Sequence, residues 1–326
     1  MTIHTKALSA LAVLALTVPA AALAQEPIAL RFSDSTTADA PRSVALTDIF
    51  AERLGDDFEF QPYFSSTLVP QGSEIVAIQR GNLEMSLLPP SDFAKQVPAF
   101  DILGAAYVIR DPEHLQAVFE SDIGDEFRQM ARDEMGLEIL GIAYYGARHV
   151  NLRGDREVMT PEDLNGVRLR MPGGESWQFL GSAIGANPTP MDYAEVYTGL
   201  QTGAIDGQDN PLPNNQLMKF HEVTDQIILT GHNMGFGMLI INADLFASLT
   251  AEQQQTMRDA ASEAFAWSDQ QYIDQEAELV SFFEQEGLKV YEPDLEAFKT
   301  YAQEQYLASP LSDAWPEGML ERINAL

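Results

Sequence analysis

An α/β fold with mostly parallel central sheets, shared between two lobes, is what the sequence predicts, and three observations predict it. Short apolar or alternating runs are interleaved with helical ones along the whole chain. One helical stretch is longer than a small domain is wide. No Pro/Gly/Ser-rich spacer separates tandem units, so the chain is expected to cross between lobes several times, and the crossing segments to form a hinge.

The elements follow in order. His4 and Lys6, an apolar run from Ala7 to Ala22 and the triplet Ala22-Leu23-Ala24 read as a secretory signal over residues 1–24. Strands are predicted at IALRFSD, FEFQPYF, LEMSLLP, LEILGIAYY, GVRLRMP and QIILTGHNMGFGMLIIN, the last divided by a bend at the glycines of residues 231–237. A helix over APRSVALTDIFAERLG ends at Gly55, and another over SEIVAIQRGN closes at Gly81. Asp111-Pro112 and Thr160-Pro161 each place a capping side chain before a proline at the first helical position. From Thr250 to Glu286 there is neither proline nor glycine, Thr250 and Gln253 form a capping box, and Gly287 ends the run. Such a helix reaches about 50 Å at roughly 1.5 Å per residue, so it runs across both lobes or kinks where they meet.

Composition narrows the function classes. Forty-nine acidic residues stand against nineteen basic ones, and no clustered basic surface is available to meet phosphates, so nucleic acid is not an expected partner. Cysteine is absent, which removes disulfides and thiolate metal sites. No G-x-S-x-G elbow, phosphate loop, H-E-x-x-H pair or G-x-G-x-x-G turn is present, and the five histidines are scattered. The expectation is an exported protein with no cofactor and no metal. DGQDN, residues 206–210, reads as a turn at a strand end rather than a calcium loop.

Against that acidity, GVRLRMPGG places Arg168 and Arg170 two apart on one predicted strand, before Pro172 and two glycines. In a chain so poor in cations, at least one arginine is expected to face a ligand.

The run AYYGARHVNLRGDREVMTPEDLNGVRLRMPGG, followed by GANPTPMDYAEVYTGLQTGAIDGQDNP, resembles the extracytoplasmic solute-binding subunits of tripartite ATP-independent periplasmic (TRAP) transporters, of the dicarboxylate-binding type. FSSTLVPQGSEIVAIQRGNLEM upstream, and the long helix followed by FFEQEGLKVYEPD, extend the resemblance over nearly the whole mature chain. It implies a two-lobed periplasmic-binding-protein fold around a cleft, with residues 25–146 and 236–275 in the N-terminal lobe and 147–235 and 276–326 in the C-terminal lobe. It also implies a monomeric periplasmic receptor, not an enzyme, that hands a small organic anion to two membrane subunits.

Residue by residue, the family's carboxylate-binding arginine falls on Arg170, while Arg168 stands where the family has lysine and is expected to be solvated. Arg148 matches a second ligand-meeting position, with an ion pair between the lobes as its alternative role. Asn210 matches the cleft asparagine and Tyr193 an aromatic that faces ligand. Trp177 is expected to stack on a ring, cover the cleft mouth or pack in the core. Of Tyr144 and Tyr145, alternation lets only one line the cleft, and Tyr145 is taken as the lining residue. Asp34 and Gln71 are the polar candidates of the N-terminal lobe, where Thr67 to Gln71 and Pro89-Pro90 depart from the family pattern. The ligand is left open among a C4-dicarboxylate, a sugar acid and an aromatic acid, and an exported hydrolase or lyase is the rival reading.

Overall fold

The computed structural model describes residues 26–326, and the expected signal segment, residues 1–24, lies outside the described residues. Nine strands form one mixed sheet: β1 (Ile28–Ser33), β2 (Phe58–Tyr63), β3 (Met85–Leu88), β4 (Leu137–Leu152), β5 (Arg168–Met171), β6 (Asn187–Pro190), β7 (Gly207–Pro211), β8 (Gln226–Asn242) and β9 (Lys289–Tyr291). Their order is β2-β1-β3-β8-β4-β7-β5-β6, with β9 also on β8. The two flanks are parallel, as expected. The centre is antiparallel, because β8 pairs antiparallel with both β3 and β4, and β4 with β7.

The two long central strands change partners along their length. β8 pairs with β3 through Met238–Ile241 and with β9 through Gln226–Ile228. β4 gains β7 only from Arg148 onward. Each long strand therefore serves one half of the sheet with its first residues and the other half with its last. Between those halves the β4–β8 register slips at Tyr144/Gly146 and again at Arg148/Val150. Gly146 adopts φ +108°, and a Cβ there would stand 2.8 Å from Pro211 and 2.9 Å from Glu276, so only glycine fits this bulge.

A bulge frees backbone N–H groups that must find other acceptors. Here the acceptors come from the long helix. Asp269 Oδ1 accepts from the Tyr144 N–H at 3.0 Å, and Glu276 Oε1 accepts from the Ala147 N–H at 2.6 Å. The two carboxylates are about two helical turns apart and so share one face. That helix, Ala251–Gln285, keeps the predicted Thr250/Gln253 capping box. It packs on β4 and the helical stretch Pro41–Val44, Ala45–Phe50 and Ala51–Leu54, then on the helix Leu212–Leu217 and β9, so it does span both halves.

Three strands, β6, β7 and β9, were not expected. β6 is the edge strand NPTP, whose prolines, lacking N–H, are tolerated only at an edge. Residues 207–211 are not a turn but the buried strand β7, whose turn-forming Asp and Asn side chains bond inside the sheet. The glycines of residues 231–237 do not divide two strands; they lie within the single strand β8, where Gly231 turns to φ +53°. Met319–Asn324, at the chain's end, returns to the helix Asp122–Met135, with Arg322 Nη2 at 2.7 Å from Glu126.

Candidate functional site

Where the halves meet lies a cavity of about 190 Å³, and all eight residues singled out from the sequence line it: Asp34, Gln71, Tyr145, Arg148, Arg170, Trp177, Tyr193 and Asn210. A water needs roughly 10–15 Å³ by such a measure, so this space holds on the order of a dozen waters or one small molecule.

β5 carries Arg170 beside Gln208 of β7. Arg170 is 1 % exposed; its Nε donates to the Met191 carbonyl at 2.8 Å, and Nη2 has no hydrogen-bond partner among the described residues. Burial, with Arg148 adding to it and Asp209 opposing, holds the Arg170 pKa down to about 10, which leaves it charged at neutral pH. Arg168, two residues earlier, is half-exposed as expected. It bonds Asp206 and the carbonyls of Gly203 and Ala204, tying the strand to the turn before β7.

Arg148 forms an ion pair with a residue of the neighbouring strand. It grips Asp209 on adjacent β7 with Nε to Oδ2 at 2.7 Å and Nη2 to Oδ1 at 2.9 Å. Its guanidinium also lies 4.8 Å from the Trp177 ring centroid, so Trp177 stacks on a cation while lining the cavity. Asp209 is wholly buried and bonded to His232 Nε2 at 3.2 Å, and His232 Nδ1 meets Thr230 Oγ1 at 2.8 Å. Burial alone would raise the Asp209 carboxyl, but Arg148 and His232 outweigh it and hold it well below the usual carboxylate range. Asn210 donates to Gln208 Oε1, and Gln208 in turn donates to Asn151 and Asn215.

Across the cavity the arrangement differs. Asp34, at the end of β1, accepts from Arg42 Nε at 3.0 Å and Nη2 at 3.2 Å and from the Thr36 N–H at 3.0 Å, so its carboxylate is engaged before any ligand arrives. Arg42 lies 4.1 Å over the Tyr145 ring with Nη1 unpartnered. Burial opposes the Arg42 charge, yet Asp34 and the neighbouring tyrosines raise its pKa well above the usual value. Tyr145 lines the cavity with its hydroxyl unpartnered, whereas Tyr144 turns away to donate to Glu276 at 2.8 Å. A Cβ at Gly237 would sit 1.8 Å from the Tyr145 hydroxyl, so that glycine makes room for the ring. Gln71 Oε1 accepts from the Tyr193 N–H at 2.8 Å, joining the two walls directly.

Sequence reasoning missed Arg42, Glu74, Ser91 and Lys95, which also line the cavity. Two carried a signal. Arg42 is a cation in the first turn of its helix, where the helix dipole disfavours it, and Glu74 is on the buried face with Ile78 one turn on. Of the four cations lining the cavity, Arg42, Lys95 and Arg148 each hold a carboxylate; Arg170 alone has no salt bridge among the described residues.

A sheet whose two halves are joined by crossing strands, with one cavity lined from both and one uncompensated arginine in its wall, is the framework of a solute-binding protein. The model of the bacterial extracellular solute-binding proteins, family 7 (DctP), matches residues 35–310, and the chain belongs to that family, the periplasmic solute-binding proteins of TRAP transporters, which are receptors and not enzymes. It is similar to the sialic acid-binding periplasmic protein SiaP of Vibrio cholerae, 32 % identical over 80 % of this chain and 81 % of that one. A TRAP periplasmic solute-binding protein from Roseobacter denitrificans, solved with bound 3-deoxy-D-manno-oct-2-ulosonic acid, is 44 % identical with a TM-score of 0.90, over 92 % of this chain and 99 % of its own. Another from the same organism, solved with bound β-D-glucuronate, is 26 % identical with a TM-score of 0.82, over 91 % of this chain and 99 % of its own. Among the described residues no helix is long and apolar enough to cross a membrane, and no group of His, Asp or Glu is placed to hold a metal.

Proposed function

We propose that this receptor binds a sugar acid, with Arg170 holding the carboxylate, and that the filled receptor delivers it to the membrane subunits of a TRAP transporter. One observation carries the reading: Arg170 is buried in the cavity wall with no ion pair, and with Nη2 left over, among the described residues. A carboxylate fits that fork with charge-assisted hydrogen bonds.

The rest of the cavity favours a polyol over the other acids. Arg42 Nη1, Tyr145 hydroxyl, Ser91 Oγ and Glu74 Oε2 are all without partners among the described residues, and a chain of hydroxyls supplies what they need. A second carboxylate has less to meet, because Asp209 neutralises Arg148 and Asp34 neutralises Arg42. An aromatic acid finds the Trp177 face already taken by Arg148. The relatives solved with sugar acids support the same class.

In this reading residues 25–146 and 236–275 form one lobe and 147–235 and 276–326 the other, with the slipped register around Gly146 as the hinge and the Gln71–Tyr193 bond as a latch. The receptor acts as a monomer. A thermal-shift screen tests the proposal: sugar acids should raise Tm and be recovered unchanged, by about 2.7 kcal/mol of added stability at a hundredfold excess over Kd. Stabilisation by C4-dicarboxylates alone, or turnover of the acid, would refute it.

A further inference from the structure

Glu74 opens the helix Glu74–Gln79, a position that ordinarily points an acid to water, yet it is 1 % exposed. Its Oε2 is buried at the cavity and has no hydrogen-bond partner among the described residues. The charged groups around it are already matched to one another. Asp34 holds Arg42, and Asp92 holds Lys95 at 2.6 Å, so Glu74 is left without a cation and with two carboxylates near it. Burial, assisted by Asp92 and Asp34 and opposed by the backbone N–H groups of Gly72 and Glu74 itself, pushes this carboxyl up to about 8.

A neutral carboxyl has one O–H to donate and an oxygen free to accept, whereas a carboxylate only accepts. Beside an anionic ligand the neutral form also avoids like-charge repulsion in a medium of low dielectric. Ser91, likewise buried with an unpartnered Oγ, lines the same side of the cavity from the short helix Pro90–Ala94.

We propose that Glu74 is a specificity residue of the receptor, its buried, unpaired carboxyl exchanging hydrogen bonds with a hydroxyl of the ligand beyond the carboxylate that Arg170 holds, with Ser91 as its neighbour in that subsite. This inference rests on the sugar-acid reading above. It implies that affinity is full at neutral pH and falls as Glu74 ionises, since the proton needed for donation is lost and a negative charge is added facing the anion.

Calorimetric titrations with 3-deoxy-D-manno-oct-2-ulosonic acid, D-glucuronate and L-galactonate, at about pH 6.5 and about pH 9, test it on the wild-type receptor, E74Q and E74L. The acid that binds the wild type should lose about tenfold in affinity at the higher pH, because one unit above the pKa leaves about a tenth of the groups protonated. E74Q, which keeps donor and acceptor without the titration, should bind within about threefold of wild type at the lower pH and show no such loss. E74L should bind at least about tenfold more weakly at both. Wild-type affinity that does not change with pH, the same pH loss in E74Q, or wild-type affinity in E74L would overturn the role of Glu74 while leaving the sugar-acid reading intact. If E74L does not fold, the comparison of wild type with E74Q decides alone. If none of the three acids binds the wild type, the sugar-acid reading falls and this inference with it.

Discussion

The two walls of the cavity handle charge in opposite ways. On the β5–β7 side, Arg148, Asp209, His232 and Thr230 form a closed chain of bonds, and Asn210, Gln208, Asn151 and Asn215 form a second. Among the described residues Arg170 is the one cation of that frame without a carboxylate. On the side of β1 and the helix after it, the ionic groups are paired as Asp34–Arg42 and Asp92–Lys95, and single polar atoms of Arg42, Glu74, Ser91 and Tyr145 are left over. A fixed wall with one spare charge suits the feature every ligand of this class shares. A wall with several spare neutral or compensated contacts suits the features by which such ligands differ. On the proposed reading, anchoring and discrimination are thereby separated in space, and each can be broken alone.

The largest effect is expected from the frame. D209A leaves the Arg148 guanidinium buried without its partner, which should cost about 3–5 kcal/mol of stability, read by urea or thermal unfolding. An unchanged midpoint would mean that the Arg148–Asp209 pair does not lock this wall. The contact between the walls comes next. Q71A removes the acceptor of the Tyr193 N–H and should weaken binding by about 0.5–1.5 kcal/mol, a several-fold loss by calorimetry, while the unliganded Tm stays close to wild type. Equal affinity would remove the Gln71 bond from the closed form. The smallest effect belongs to Arg168, whose side chain is 45 % exposed: R168A should cost less than about 1 kcal/mol in stability and leave affinity unchanged. A large loss of binding in R168A would erase the distinction between the two arginines of β5.

That Arg170 and Asn210 line the cavity was legible through the family resemblance, whose motifs are local and survive without knowledge of distant partners. The long helix was legible for the same reason, since its capping box and its lack of proline and glycine are local. What could not be read was pairing across sequence distance. For Arg148 the choice stayed open between meeting the ligand and pairing across the lobes, because nothing in YGARHV says that Asp209 lies on the neighbouring strand. Asp34 looked free because Arg42, only eight residues on, belongs to a helix whose start turns back toward it. β6 and β7 were hidden because their prolines, Asp and Asn read as turns, while an edge place and a buried polar network make them strands. Arg42 and Glu74 did leave a trace, a charge on the wrong end or the wrong face of a helix, and that trace marks a cavity more often than an error.

The central claim is that Arg170, unpaired and buried, is the carboxylate anchor. Its most direct test is a calorimetric cycle: wild type and R170M, each titrated with the sugar acid that most raises Tm and with the carboxamide of that acid. The wild type should prefer the acid, and R170M should lose about 2–5 kcal/mol of binding for it, on the order of 30- to 5,000-fold, until acid and amide bind equally weakly. Because the substitution also removes a buried charge that has no salt bridge among the described residues, the unliganded Tm of R170M should hold or rise. R170M that keeps the wild-type preference for the acid would contradict the claim.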